Sequence, residues 1–260
     1  MTDIAQPERA PDQIELAEKE TNVATPRDAG YWATKVDRLA VDPERAKAGF
    51  NIAGKRLTGP QQGFGRLRQR TYTVEVGPDV TPQQVVSAWK ADFGSFWPKG
   101  NVFQGALTGI TPGDVAPIAV NAAAGIKLST GVFVLYSDDV SFTFMTPQGH
   151  MFASWITFAA ERRESGTVVQ ALLLLRTSDP LFEFAFPIMK AMEDRFWKQT
   201  LANVARSVGV AEPMVTEQTT IVDRRRIWKN WRNVWHNAGI RSMLHLLAAP
   251  VLALRRRGRA

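Results

Sequence analysis

A chain of 260 residues that is 45% hydrophobic and 22% charged is composed like a globular protein, with length for one core plus appendages. It has no cysteine, which excludes a disulfide framework, a thiolate metal site and a thiol nucleophile. The formal net charge of +7 is confined to one end: residues 221–260 hold ten Lys or Arg against one acid, a formal +9, which leaves −2 for residues 1–220 and gives the body no footprint for nucleic acid.

Residues 1–65 read as an N-terminal segment. Residues 1–30 are polar, lack apolar periodicity and carry Pro7, Pro11 and Pro26, so disorder is expected there. The start MTDIAQPERAPDQ has neither the basic run nor the apolar stretch of a secretory signal, so no export and a cytoplasmic location are expected. A short helix is expected over 31–47, broken near Asp42-Pro43, with Trp32 packing on the domain surface. Gly54 to Gly65 reads as a loop. Gly63-Phe64-Gly65 begins like a dinucleotide fingerprint, but Arg68 stands at the third glycine position and a strand follows where the motif needs a helix. Neither a nicotinamide nor a flavin is expected, and no other cofactor is.

The strand Arg70 to Val76 alternates, and Thr81 as N-cap, Pro82 at the first helical position and Gln84 in a capping box open a helix over 82–93. Val85, Val86, Trp89 and Phe93 share one face of it, and a short turn through Phe96-Trp97-Pro98 follows. Between 101 and 130 two strands are expected, over 101–107 and 115–121. Four β-rich segments come next, over 132–136, 140–145, 151–162 and 167–177, separated by Ser137-Asp138-Asp139, Pro147-Gln148-Gly149 and Glu164-Ser165-Gly166. Connections this short join antiparallel neighbours, which makes the run a meander. Asp179-Pro180 then starts a short turn over 180–186, and a main helix runs over 187–208 with Gly209 as its stop. Its stripe of Ile188, Met189, Met192, Phe196, Trp197, Leu201, Val204 and Val208 spans about 33 Å, at about 1.5 Å per residue.

This order is that of the helix grip. In TPQQVVSAWKADFGSFWP (81–98) and FPIMKAMEDRFWKQTLANVARSV (186–208) the chain resembles the START and polyketide cyclase/dehydrase (SRPBCC) superfamily, which also includes coenzyme-Q-binding proteins and plant pollen allergens. FTFMTPQGHMFASWITF (142–158), with its glycine–histidine turn, is similar to an uncharacterised bacterial and plant subfamily. The resemblance covers residues 66–210. It implies an α+β domain in which a curled antiparallel sheet wraps a long C-terminal helix and leaves a cavity for a lipid, sterol, isoprenoid quinone or polyketide-like molecule. The residues expected to line that cavity are Trp89, Phe93, Trp97, Phe142, Phe144, Trp155, Val169, Ala171, Leu173, Met192 and Phe196. The alternation agrees in kind: Phe142 and Phe144 oppose Ser141 and Thr143, and Val169, Ala171, Leu173 and Leu175 oppose Gln170 and Arg176. Such a pattern suits a filled core as well as a hollow, and Trp155 sits in a segment apolar on both faces.

Candidates for chemistry are few. His150 is the domain's one histidine and has a near-neutral ordinary pKa, but a turn histidine is more often a capping residue. Glu183, Glu193 and Asp194 sit on or near the long helix. The bland account puts Glu193 and Asp194 in solvent, with Lys190 and Lys198 as helix-face partners. No serine has a nucleophile-elbow context, and no His, Asp and Glu set has metal-ligand spacing.

Residues 211–260 read as a basic amphipathic tail. Trp228, Trp231 and Trp235 recur at i, i+3 and i+7 among Arg224, Arg225, Arg226, Lys229 and Arg232, the composition of an interfacial membrane helix or of a segment docked on protein. The apolar stretch from Leu244 to Leu254 is interrupted by Pro250 and is too short to span a bilayer. The expected function is non-enzymatic binding or transport of a hydrophobic small molecule, with an anionic membrane at the inner face as partner and no nucleic acid. The alternatives are a cyclase or aromatase using the same cavity through His150 or a buried carboxylate, and an interaction module with a filled core.

Overall fold

The computed structural model describes residues 29–42, 50–105, 109–121, 127–245 and 247. The disorder expected for residues 1–30 and most of the apolar stretch after Leu244 lie outside these. In chain order the elements are β1 (Leu57–Thr58), β2 (Leu67–Gly77), α1 (Pro82–Ala91), β3 (Val102–Phe103), β4 (Val115–Asn121), β5 (Lys127–Ser137), β6 (Ser141–Pro147), β7 (Phe152–Arg163), β8 (Gly166–Thr177), α2 (Pro180–Phe184), α3 (Phe186–Ser207) and β9 (Thr216–Asp223). Single 3-10 turns lie at Phe93–Phe96 and Pro60–Gln62, and a longer 3-10 segment at Trp228–His236.

Among the described residues the nine strands form one antiparallel sheet in the order β3-β4-β5-β6-β7-β8-β2-β9, with β1 beside β6. The four expected segments from 132 to 177 form the meander, each pairing with the next. The caps hold as read: Thr81 accepts from the Gln84 N–H, and Asp179 accepts from the N–H groups of Leu181 and Phe182. Pro187 divides the helical stretch into α2 and α3, and Gly209 ends it with φ +100°. The sheet's concave face and α3 enclose the main core, from Tyr72 and Val74 through Trp89, Phe142 and Phe158 to Leu201 and Val204. This is the helix-grip arrangement.

Four expectations change. Residues 32–42 are not helical: Ala33 donates to the Leu135 carbonyl, Leu39 donates to the Lys55 carbonyl, and Trp32 packs at a tilt on Tyr136 with ring centroids 4.7 Å apart, so the segment lies extended over the sheet's outer face. The strand expected over 101–107 is two residues long. Packed structure also does not end at 210. Residues 216–223 become β9, whose backbone pairs with the free edge of β2, and residues 224–245 dock on the same body. Finally, Arg176 points away from the concave face as expected but is 1% exposed, because the Gly63-Phe64-Gly65 segment lies over it. A Cβ on Gly63 would stand 2.6 Å from that of Arg176, and the N–H groups of Phe64 and Gly65 both donate to the Thr177 carbonyl. The two glycines allow backbone to approach backbone, and that accounts for the fingerprint-like spacing.

Candidate functional site: an apolar cavity beneath the long helix

Between the concave sheet and α3 lies a cavity of about 510 Å³. Strands β4 to β8 supply one wall, with Ile118, Val132, Phe144, Ile156 and Leu173 among its side chains, and α3 supplies the other through Met189, Met192 and Phe196. The chain closes one end with Phe93 and Trp97, whose rings meet edge to face at 5.6 Å. Among the described residues the space reaches the surface where Leu181 and Ile188 face Ile240 and Met243, all exposed apolar side chains. Residues 237–243 thus form part of the site, although the sequence placed them in a tail.

Of the residues expected to line a cavity, Phe93, Trp97, Phe144, Leu173, Met192 and Phe196 do so. Trp89, Phe142, Val169 and Ala171 are buried beside it in solid core, where Trp89 packs edge to face on Phe142 and Phe158 at 5.7 and 5.1 Å. Trp155 stands on the opposite face of the sheet, 43% exposed. A bulky α1 face fills the end of the sheet under the last turns of α3, so the same inward alternation makes core there and hollow beneath the first turns.

Polar groups in the wall are sparse. His150 is 6% exposed and its Nδ1 lies 3.0 Å from both the N–H and the carbonyl of Phe152; burial, against that backbone contact, lowers its pKa to about 4. The neutral ring is therefore favoured near pH 7, and its Nδ1 contacts the backbone of its own turn. Glu193 is the single ionisable carboxylate of the wall among the described residues. Its Oε2 accepts from Arg70, which is fully buried in β2 and also donates to Asp194 and to Glu217 at 3.2 Å. Burial outweighs the Arg70 charge and pushes the Glu193 pKa up to about 7. Asp194 goes the other way: despite partial burial, Lys190 at 2.8 Å, the Tyr72 hydroxyl at 2.8 Å and Arg70 hold it below the ordinary range. The expected helix-face pairing of Lys190 with Glu193 does not form: Lys190 pairs with Asp194, and Glu193 is buried against Arg70. Glu183 serves elsewhere, taking Arg68 and the Thr177 hydroxyl. Asp138 caps its own hairpin through the N–H groups of Val140 and Ser141. Among the described residues no three His, Asp or Glu side chains gather as a metal site.

The basic segment docks through three asparagines that share the tryptophans' spacing. Asn230 donates to the carbonyls of Gln61 and Gly63, Asn233 to those of Gln62 and Ser178, and Asn237 to buried Asp179 at 2.8 Å. With that face fixed on the domain, Trp228, Trp231 and Trp235 are 69%, 44% and 73% exposed. Arg224, Arg225, Arg226, Lys229 and Arg232 are exposed around them, Arg225 and Arg226 in ion pairs with Asp223 and Glu183. No helix of the described residues is long and apolar enough to cross a membrane.

A curled antiparallel sheet that grips one long helix over an apolar hollow is the helix-grip fold. No protein-family model matches the sequence, and no curated protein matches it. Among solved structures the chain is similar to an uncharacterised protein from Rhizobium leguminosarum, at 14% identity over 55% of this chain and 95% of that one, TM-score 0.38. It is also similar to Ara h 8.0201, at 13% identity over 55% and 97%, TM-score 0.40. A third is the di-domain ARO/CYC StfQ from the steffimycin biosynthetic pathway, at 9% identity over 64% and 55%, TM-score 0.41.

Proposed function

We propose that this protein binds a hydrophobic small molecule, such as a lipid, isoprenoid or polyketide-like compound, in the cavity beneath α3 and carries or presents it without transforming it. The observation that carries this reading is the cavity itself: about 510 Å³ of space, within the range of small-molecule sites, with a wall of aliphatic and aromatic side chains. A second part of the proposal places the exposed tryptophans and the arginines around them on an anionic membrane, at its inner, cytoplasmic face. Burying tryptophan faces among headgroups while cations meet acidic lipid adds two favourable contributions.

The test is uptake of the neutral fluorescent probe N-phenyl-1-naphthylamine by the full chain, together with mass spectrometry of what organic solvent extracts from the purified protein. Uptake is expected, and Met192→Trp, which places an indole in the cavity wall, is expected to block it. A wild-type chain that takes up no probe and yields no apolar compound overturns the binding reading.

A further inference from the structure

Glu193 is an anomaly in a greasy wall. Arg70 holds its Oε2, while its Oε1 is buried and has no hydrogen-bond partner among the described residues. An unpaired carboxylate oxygen shielded from water is costly, and such groups are normally satisfied. Trp97, in the same cavity wall, likewise has a buried indole N–H without a partner among the described residues. Charge near Glu193 is also unbalanced: Arg70 of β2 and Lys190 of α3 face Glu193 and Asp194 of α3 and Glu217 of β9, two cations against three carboxylates.

We propose that Glu193 hydrogen-bonds the polar group of the guest, and that the guest is an uncharged amphiphile bearing a hydroxyl donor rather than an anion such as a fatty acid. This rests on the cavity being a binding site and goes further, assigning the chemical class of ligand. A hydroxyl donating to Oε1 satisfies the orphan acceptor, and a hydrocarbon tail suits the remaining wall. A carboxylate guest would instead add a fourth negative charge in a low-dielectric space. The discrimination is pH-dependent through Glu193. Of the groups facing it, Tyr72 is held protonated by burial and by the Glu193 charge, Asp194 and Glu217 are held ionised, Arg70 and Lys190 are cations, and His150 in the cavity wall is neutral down to about pH 4. Between pH 8 and 6 Glu193 alone of this group changes charge, and its protonation removes the repulsion.

The experiment uses the full chain loaded with N-phenyl-1-naphthylamine and displaced by dodecan-1-ol, dodecane or dodecanoate at pH 8 and pH 6. Dodecanol is expected to displace the probe at about tenfold lower concentration than dodecane or dodecanoate at pH 8, the order of one hydrogen bond to a charged group. Glu193→Leu should erase the preference of alcohol over hydrocarbon, and Glu193→Gln should keep it. Dodecanoate should gain on going to pH 6 in the wild type but not in Glu193→Gln. If Glu193→Leu alone does not fold, Arg70→Met with Glu193→Leu removes both partners and reads the same ratio. Equal displacement by alcohol and hydrocarbon in the wild type, an unchanged preference without Glu193, or tighter dodecanoate at pH 8 overturns the proposal while the cavity reading stands. Failure of the probe to enter at all overturns the cavity reading instead.

Discussion

Arg70 of β2 and Glu193 of α3 form an ion pair away from water, their side chains 0% and 7% exposed. The same guanidinium reaches Asp194 and Glu217, so one side chain ties the strand, the gripped helix and β9 together. Removing one partner of such a pair leaves an uncompensated buried charge, worth about 3–5 kcal/mol. Arg70→Met is therefore expected to lower the unfolding free energy by that order in urea titrations. Adding Glu193→Gln should recover much of the loss, and equal losses in the single and double variants would contradict this account.

Two buried groups bend stability with pH in opposite directions. His150 has its pKa lowered to about 4, so between there and its ordinary value of 6.5 the unfolded chain binds the extra proton and stability is lost on acidification. Glu193 is raised to about 7 from 4.5, so the folded chain binds the extra proton, and stability present at low pH is lost as pH rises through 7. Each contributes up to about 1.4 kcal/mol per pH unit inside its window. Relative to wild type, His150→Phe should make the slope of stability against pH more negative between pH 4 and 6.5. Glu193→Gln should make it more positive between 4.5 and 7, as read by chemical denaturation at half-unit steps. Slopes that do not separate in this way refute the assignment.

Gly149 has φ +96°, and a Cβ built on it would run into the His236 carbonyl. Its own carbonyl accepts from the Ala238 N–H at 2.8 Å. Gly149→Ala thus combines a left-handed backbone penalty, about 1–3 kcal/mol, with a clash against the docked C-terminal segment. Limited trypsin digestion should cut after Arg232 and Arg241 faster in the variant, with the strands before Thr177 still protected. Unchanged cleavage would mean the segment is held by something other than this seat.

Pelleting with vesicles tests the exposed tryptophans. Binding to vesicles containing phosphatidylserine is expected to exceed binding to phosphatidylcholine vesicles and to weaken between 50 and 500 mM salt, as screening of roughly one kcal/mol per basic residue requires. Trp228→Ala with Trp231→Ala and Trp235→Ala should abolish retention at high salt, and charge removal at Arg224, Lys229 and Arg232 should abolish the lipid preference. Equal binding to both vesicle types argues against the electrostatic half of the reading.

Much of the domain was legible because its signals are local. Asp179-Pro180, Thr81-Pro82-Gln84 and Gly209 announce helix ends through their own backbone chemistry, and hairpin turns two to four residues long leave one way to pair strands. What could not be read depended on partners distant in sequence. Residues 216–223 carry three threonines and a lone glutamine but no inward stripe, and they become a strand because β2 offers an open edge. Arg70 shares the inward face of β2 with Tyr72 and Val74, so an acid across the core was implied, and that signal was available. The asparagines at 230, 233 and 237 likewise repeat at helical spacing, one turn face away from the tryptophans. Which inward residues meet a hollow and which meet core was not available from alternation, since the difference lies in where the α1 side chains reach.

Because β2 is sandwiched between β8 and β9, its neighbours are synthesised about a hundred and about a hundred and fifty residues after it. A ribosome must therefore release residue 223 before β2 is covered on both sides: β2 has two bare strand edges until β8 is made, and one until β9 follows. Pieces of this protein that stop near residue 210 would keep one such edge permanently, and self-association is the expected fate of that fragment.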